Sequence, residues 1–113
     1  MKKDDLIYIE HILHNLSKVL EYLNDVGYNH FLENEEKQDA VIRKIEVVGE
    51  AAKHLSPEFI AKYPHIPWRA IAGMRDKLIH GYFNVDLDTV WDTATQDIPG
   101  LIPRIQSIFK EFQ

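Results

Sequence analysis

Side chains suited to phosphate chemistry lie within eight positions of this sequence: Arg75, Asp76, His80 and Tyr82. A histidine that titrates near neutral pH can act as a general acid or base, and an arginine offers a fixed positive fork to a phosphate. On a helix that runs to His80, Asp76 would lie four residues away on the same face and hold the imidazole in one orientation. An acid/base group beside an anion clamp predicts phosphodiester chemistry without a metal ion.

The segment that carries these residues is predicted to be one helix from Pro67 to His80, because proline suits the first helical position and Gly81 suits the position just past the last turn. Gly73, inside that helix, is about 1 kcal/mol less favourable than alanine. We therefore expect another backbone to pass close to Gly73, from the second helix or from a partner chain. A plainer interpretation is also open, in which the histidine sits near the negative end of a helix and the arginine and acid form a surface pair.

The spacing of Arg75, His80 and Tyr82 resembles the Arg-x4-His-x-Tyr motif of the HepT-like toxin family of the HEPN superfamily. Similar blocks follow the family order at 45–53 (IEVVGEAAK), 66–69 (IPWR) and 81–83 (GYF), so that the resemblance covers nearly the whole chain. It implies an all-α HEPN-like fold, RNA cleavage without a metal or other cofactor, and a homodimer with the motif at its interface.

The resemblance also implies roles for individual residues. His80 would act as base or acid on the ribose 2′-hydroxyl or the leaving 5′-oxygen, Arg75 would stabilise the charge on the phosphorane, and Asp76 would orient His80. Tyr82, by position an ordinary half-buried packing residue, matches the tyrosine to which a cognate minimal nucleotidyltransferase attaches AMP. That enzyme would be the antitoxin, since added phosphates would fill the anion site. The alternative is a noncatalytic HEPN module, a helical binding platform for a nucleotidyltransferase.

Helix geometry bears separately on the homodimer. In a straight helix, Arg75 and His80 are five positions apart, which is about 140° around the axis. They could converge on one phosphate if the long arginine bends round, or if a second copy of the motif lies nearby. A symmetric homodimer would provide such a composite cleft.

Composition describes a single domain over residues 1–113, with a mass of 13.2 kDa. Without cysteine there are no disulfides or thiolate metal sites. We expect a cytoplasmic protein, because the N-terminus is not a signal peptide and no apolar run is long enough for a membrane span.

The net charge of −5 argues against broad nucleic-acid binding, yet residues 43–80 carry a net charge of +3 and the rest of the chain carries −8. This asymmetry fits either an RNA-facing motif region or ordinary differences between solvated helix faces.

Apolar periodicity predicts an up-and-down bundle of four main helices plus a short one. We place the main helices at about 4–25, 35–55, 67–80 and 86–112, the last kinked but continuous through Pro99 and Pro103, with a break before Pro99 as the alternative. A loop at 26–34 with one helical turn, and a short helix capped by Ser56 and opened by Pro57, complete the chain. The first helix should bury a stripe of leucine and isoleucine: Leu6, Ile9, Leu13, Leu16, Leu20 and Leu23. Ile12 and Val19 widen this stripe, which predicts contact on two sides.

The second helix carries charges beside its apolar seam. Arg43, Glu46 and Glu50 are spaced three and four apart, which is typical of an ion-pair ladder on a helix surface. Alternatively, some of them border the active cleft, and the family resemblance favours this for Glu50. No metal site is expected, because His11 and His14 lack a third ligand at convincing spacing.

Overall fold

The computed structural model describes residues 3–80 and 84–111, and these form the predicted all-α bundle. The helices are α1 (Lys3–Tyr22), α2 (Tyr28–Glu33), α3 (Glu35–Lys53), α4 (Pro57–Lys62), α5 (Trp68–Ala72), α6 (Met74–Leu78), α7 (Leu87–Asp92) and α8 (Ile98–Lys110). A π-helical segment, Thr93–Asp97, joins α7 to α8. Two short strands, β1 (Ile79–His80) and β2 (Asn84–Val85), pair antiparallel beside the bundle. No described helix is both long and apolar enough to cross a bilayer.

The first helix is the central packing element, because it contacts both α3 and α8. Its buried stripe consists of Ile9, Ile12, Leu16, Val19 and Leu23. The prediction that Ile12 and Val19 widen the stripe and that α1 makes contact on two sides is confirmed, whereas the prediction was wrong for three leucines: Leu6 and Leu13 are only half-buried, and Leu20 is exposed. Because α1 packs against both α3 and α8, its buried face points between these two helices.

A buried carboxylate fixes the start of α1 against the start of α4. Asp5 is 1% exposed and accepts hydrogen bonds from the backbone N–H of Ser56 at 2.8 Å and from its hydroxyl at 2.7 Å. The Ser56 hydroxyl oxygen in turn accepts from the N–H of Phe59, which confirms the predicted N-cap. The cap thus stabilises both α4 and its attachment to α1.

The second main helix buries its predicted seam, Val41, Ile45, Val48, Ala52 and Leu55. Its close neighbour is the motif segment. A Cβ atom placed on Gly49 would lie 3.1 Å from the backbone oxygen of Ala72, so the glycine allows α3 and α5 to approach closely. At Gly73 the predicted close approach of the second helix was wrong, because the nearest atoms of the described chain are the carbonyls of Arg69 and Ala70, in its own segment; the alternative, a partner chain beside Gly73, stays a prediction.

The motif segment is not one helix. It breaks at Gly73, resumes as α6, and ends at Leu78, three residues before Gly81, so the prediction of a helix to His80 stopped by Gly81 was wrong. Ile79 is extended, with φ −116° and ψ 114°, and it pairs with Val85. The Leu78 carbonyl accepts from the N–H of Asp86 at 2.9 Å. The N–H of Asp86 thus satisfies the Leu78 carbonyl, which in a continued helix would have accepted an intrahelical hydrogen bond.

The final element is continuous, as predicted, through both prolines. Pro99 falls in the first turn of α8, directly after the π-helical segment, and Pro103 lies within the helix. The element departs from a regular α-helix at the π-helical segment, which ends two residues before Pro99. Within this segment, the Thr95 hydroxyl donates a hydrogen bond to the backbone carbonyl of Trp91 at 2.7 Å.

Candidate active site

Arg75 lies on a shallow cleft between α3 and the motif segment. The cleft encloses about 340 Å³ and is lined by charged side chains around a small apolar base: Arg43, Glu46, Val47, Gly49, Glu50, Lys53, Ala72 and Arg75. Since α3 and α5 approach closely at Gly49, the cleft has a backbone base and charged walls. We call it the α3–α6 cleft.

Two carboxylates flank the Arg75 guanidinium. Its Nε atom is 3.6 Å from Oε2 of Glu46 across the cleft, and its Nη1 atom is 3.5 Å from Oδ1 of Asp76 beside it. The arginine side chain is 49% exposed, so these are solvated contacts that orient more than they stabilise. A guanidinium has five N–H donors, and Arg75 therefore retains donors for a phosphate oxygen.

Glu50, the predicted cleft residue, lines the same cleft and pairs with Lys53 at 3.7 Å. The predicted ion-pair ladder along α3 was wrong for Arg43, which has no carboxylate within 4.0 Å among the described residues. Its natural partner in sequence, Glu46, reaches to Arg75 instead. The unpaired Arg43 leaves a positive charge in the cleft beside the motif arginine.

The structure places the backbone of His80 in β1, opposite Asn84. The His80 side chain and the whole of Tyr82 lie outside the described part of the chain. Because α6 ends at Leu78, the expected pairing of Asp76 and His80 on one helical face loses its basis. Asp76 instead contacts Arg75.

The change from helix to strand also removes the geometric case for a homodimer. The angle of about 140° between Arg75 and His80 applies only to a straight helix. The helix ends at Leu78, and His80 lies in the strand that follows. The direction of His80 relative to Arg75 is consequently not set by helical periodicity. Sequence reasoning named Glu46 among the α3 charges that could border the cleft, but it missed the contact of Glu46 with Arg75, because the two residues are 29 positions apart and no local pattern links them.

The helical bundle and its motif define a class of HEPN-like proteins, and comparison with known proteins identifies the family. The family model "Ribonuclease HepT-like" matches residues 12–108. This chain belongs to that HepT-like family.

Three relatives illustrate the match. A Methanocaldococcus jannaschii protein named "Putative RNase" is 40% identical over 112 residues, 99% of this chain and 93% of the relative. A two-part protein of that organism, "Gamma-glutamylcyclotransferase and putative RNase", is 47% identical over 98% of this chain and 50% of its own length. "Probable ribonuclease HepT" of Thermococcus cleftensis is 39% identical over 97% of this chain and 100% of the relative. No solved structure matches.

Proposed function

We propose that this chain is a metal-independent endoribonuclease and the toxin of a toxin–antitoxin pair. The observation that carries the proposal is the position of Arg75, half-exposed on a charged cleft immediately before the chain turns from α6 into the strand that begins at Ile79. Membership of a ribonuclease family supports RNA as the substrate.

In the proposed reaction, the ribose 2′-hydroxyl attacks the adjacent phosphorus and the bond to the 5′-oxygen of the next nucleotide breaks. The 2′-hydroxyl loses a proton and the leaving 5′-oxygen gains one; His80 carries out one of these transfers and solvent water the other. Arg75 stabilises the negative charge on the phosphorane, with Asp76 and Glu46 holding its guanidinium. The products are a 2′,3′-cyclic phosphate and a free 5′-hydroxyl, and DNA is inert because it lacks the nucleophile.

The test is cleavage of total cellular RNA in excess EDTA by wild type and by His80→Ala, with intact mass confirming that Tyr82 is bare. We expect the substitution to lower the rate by about 10²–10⁴-fold, as loss of a general acid or base does. His11→Ala, on an exposed position of α1, controls for histidine loss and should leave the rate unchanged. Equal cleavage by wild type and His80→Ala would indicate another catalytic group or a contaminating nuclease. Absence of cleavage by wild type would favour the noncatalytic binding module.

We further propose that the active form is a homodimer and that a minimal nucleotidyltransferase inactivates it by attaching AMP to Tyr82. The homodimer rests on the family resemblance alone. The modification is supported by charge, because AMP phosphates on a residue close in sequence to Arg75 would compete with RNA for the guanidinium. Incubation with such an enzyme and ATP should increase the intact mass by AMP units and abolish cleavage. Tyr82→Phe should acquire no mass. Light scattering on both proteins would report whether the dimer persists.

A further inference from the structure

Two arginines, Arg43 and Arg75, line the α3–α6 cleft, and both side chains are exposed. Arg75 is flanked by two carboxylates, whereas Arg43 makes no ion pair and no side-chain hydrogen bond within the described residues. The five N–H donors of the Arg43 guanidinium are therefore available to a ligand. Two cations that face one cleft repel each other, and an anion bound between them would remove that repulsion.

The order of neighbours along α3 shows where Arg43 lies relative to the motif. Three places on α3 adjoin the later chain, and they are Gly49 beside Ala72, Glu46 beside Arg75, and Ile42 in a shared recess with Val85 and Leu87. As the chain advances from position 72 to position 87, its neighbours on α3 thus move back from position 49 to position 42.

The backbone of His80 belongs to the last part of this path, because it pairs with Asn84, the residue before Val85. Arg43 is one residue from the recess that Val85 lines, and it is three residues, about 4.5 Å along the helix axis, from Glu46. Arg43 therefore lies on the stretch of α3 between the contact with Arg75 and the β1–β2 pair.

We propose that Arg43 is a second substrate-binding arginine of the active site and that it holds, together with Arg75, the phosphate that is cleaved. This inference rests on the proposed ribonuclease function. The two guanidinium groups would bind different non-bridging oxygens of one phosphate. Because the phosphorane carries more negative charge than the bound phosphodiester, both arginines stabilise it relative to the ground state.

The surroundings of Arg43 favour direct contact over a diffuse attraction for RNA. The residues one and two turns before it on the same face of α3, Asp39 and Glu35, are acidic and exposed. Arg43 is thus the edge of the positive surface rather than part of a continuous basic patch. A cation in such a place attracts a long polyanion weakly, so its contribution should come from one phosphate.

The first test measures binding without cleavage. A labelled single-stranded 2′-fluoro oligoribonucleotide lacks the nucleophilic hydroxyl, and fluorescence anisotropy would report its affinity for the full chain. We expect Arg43→Gln to weaken binding about tenfold, as loss of a charged hydrogen bond does. The slope of log affinity against log salt should decrease by about 0.7, the value for one phosphate contact of a single strand. Arg43→Lys, which keeps the charge but loses the fork, should be intermediate.

Lys44→Gln is the matched control. It removes the same charge one position further along α3, about 100° around the helix from Arg43, from a half-buried residue that does not line the cleft. We expect its affinity and salt slope to match those of wild type, and thermal unfolding will verify that each variant is folded. Equal losses in Lys44→Gln and Arg43→Gln, or no binding by wild type at submillimolar protein, would overturn the proposal.

The second test is steady-state cleavage of the matching RNA. If Arg43 contacts the phosphate that is cleaved, Arg43→Gln should lower kcat at least about tenfold, because a group that stabilises the transition state is lost. A rise in KM with unchanged kcat would overturn this placement. If wild type and Arg43→Gln cleave equally well, the Arg43 proposal fails and the nuclease proposal stands. If binding depends on Arg43 but wild type cleaves no RNA, the nuclease proposal fails and the phosphate site stands.

Discussion

The Nε atom of Arg75 lies 3.6 Å from Oε2 of Glu46, which joins the motif helix to α3 across the candidate cleft. If this carboxylate positions the guanidinium, Glu46→Gln should lower kcat for RNA cleavage about five- to tenfold, because misplacement of a transition-state group affects the chemical step. KM should not rise, since removing a negative charge from the cleft favours RNA binding. Steady-state cleavage of a labelled oligoribonucleotide would measure both constants.

Glu50→Gln is the matched control for that experiment. It removes the same charge from the same cleft but breaks a pair with Lys53 and leaves Arg75 in place. We expect it to lower KM without a comparable decrease in kcat. Equal effects of the two substitutions on kcat would show that only cleft charge matters and that Glu46 is not a positioning residue.

The close approach of α3 to α5 gives a second prediction, on stability. In Gly49→Ala the new Cβ would meet the backbone oxygen of Ala72 at 3.1 Å, and a backbone atom beside the buried Ile71 cannot move freely. Overpacking should outweigh the gain in helix propensity and lower the free energy of unfolding by about 1 kcal/mol. Urea unfolding would measure the change.

Gly100→Ala provides the opposite case. A Cβ at Gly100 meets nothing within 4 Å, and the residue is an exposed position of α8. Helix propensity alone should then raise the free energy of unfolding by about 0.5–1 kcal/mol. A loss of stability in Gly100→Ala, or a gain in Gly49→Ala, would contradict the packing argument.

Much of the fold could be predicted because it rests on patterns that repeat along the chain. The seam of α3 and the Ser56–Pro57 cap are local signals, and both are present in the structure. The last helix was predictable through Pro99 and Pro103 because the apolar rhythm persists there. Contact of α1 on two sides was predictable from Ile12 and Val19, but the exposure of Leu20 was not, because a periodic pattern does not tell which edge of a wide apolar stripe the neighbouring helices cover.

The candidate site was less predictable because its contacts are nonlocal. The end of α6 at Leu78 depends on the Asp86 N–H and on pairing of Ile79 with Val85, and a local helix pattern contains neither. The partnership of Glu46 with Arg75 likewise needs two helices to be placed. The sequence motif identified Arg75 as a candidate residue, whereas the residues that surround it could be identified only from the folded structure.

The buried link between α1 and α4 gives a third prediction. Asp5→Ala would leave the Ser56 N–H without its carboxylate acceptor in a buried place, so we expect a loss of about 2–4 kcal/mol in the free energy of unfolding. Asp4→Ala removes the neighbouring exposed acid and should change stability by less than about 0.5 kcal/mol. Similar losses from the two substitutions in urea unfolding would contradict the role assigned to the buried carboxylate.

The fourth prediction concerns alkaline pH and Tyr63. Burial, together with the hydrogen bond that its hydroxyl donates to Oε2 of Glu111 at 2.5 Å, raises the pKa of Tyr63 from 10.0 to about 12. The unfolded chain therefore loses this proton first as the pH rises. The stabilisation that Tyr63 provides is complete below pH 10 and is lost as the pH rises toward 12.

The measurement that isolates this effect is the difference in unfolding free energy between wild type and Tyr63→Phe as a function of pH. The advantage of wild type should be constant near neutral pH and should shrink above pH 10, because phenylalanine has no proton to lose. Tyr22→Phe is the control, since it removes a hydroxyl from a half-buried tyrosine of α1 and leaves the Tyr63–Glu111 contact in place. A wild-type advantage over Tyr63→Phe that stays constant through pH 11, or that grows, would show that the folded chain does not hold this proton more tightly than the unfolded chain.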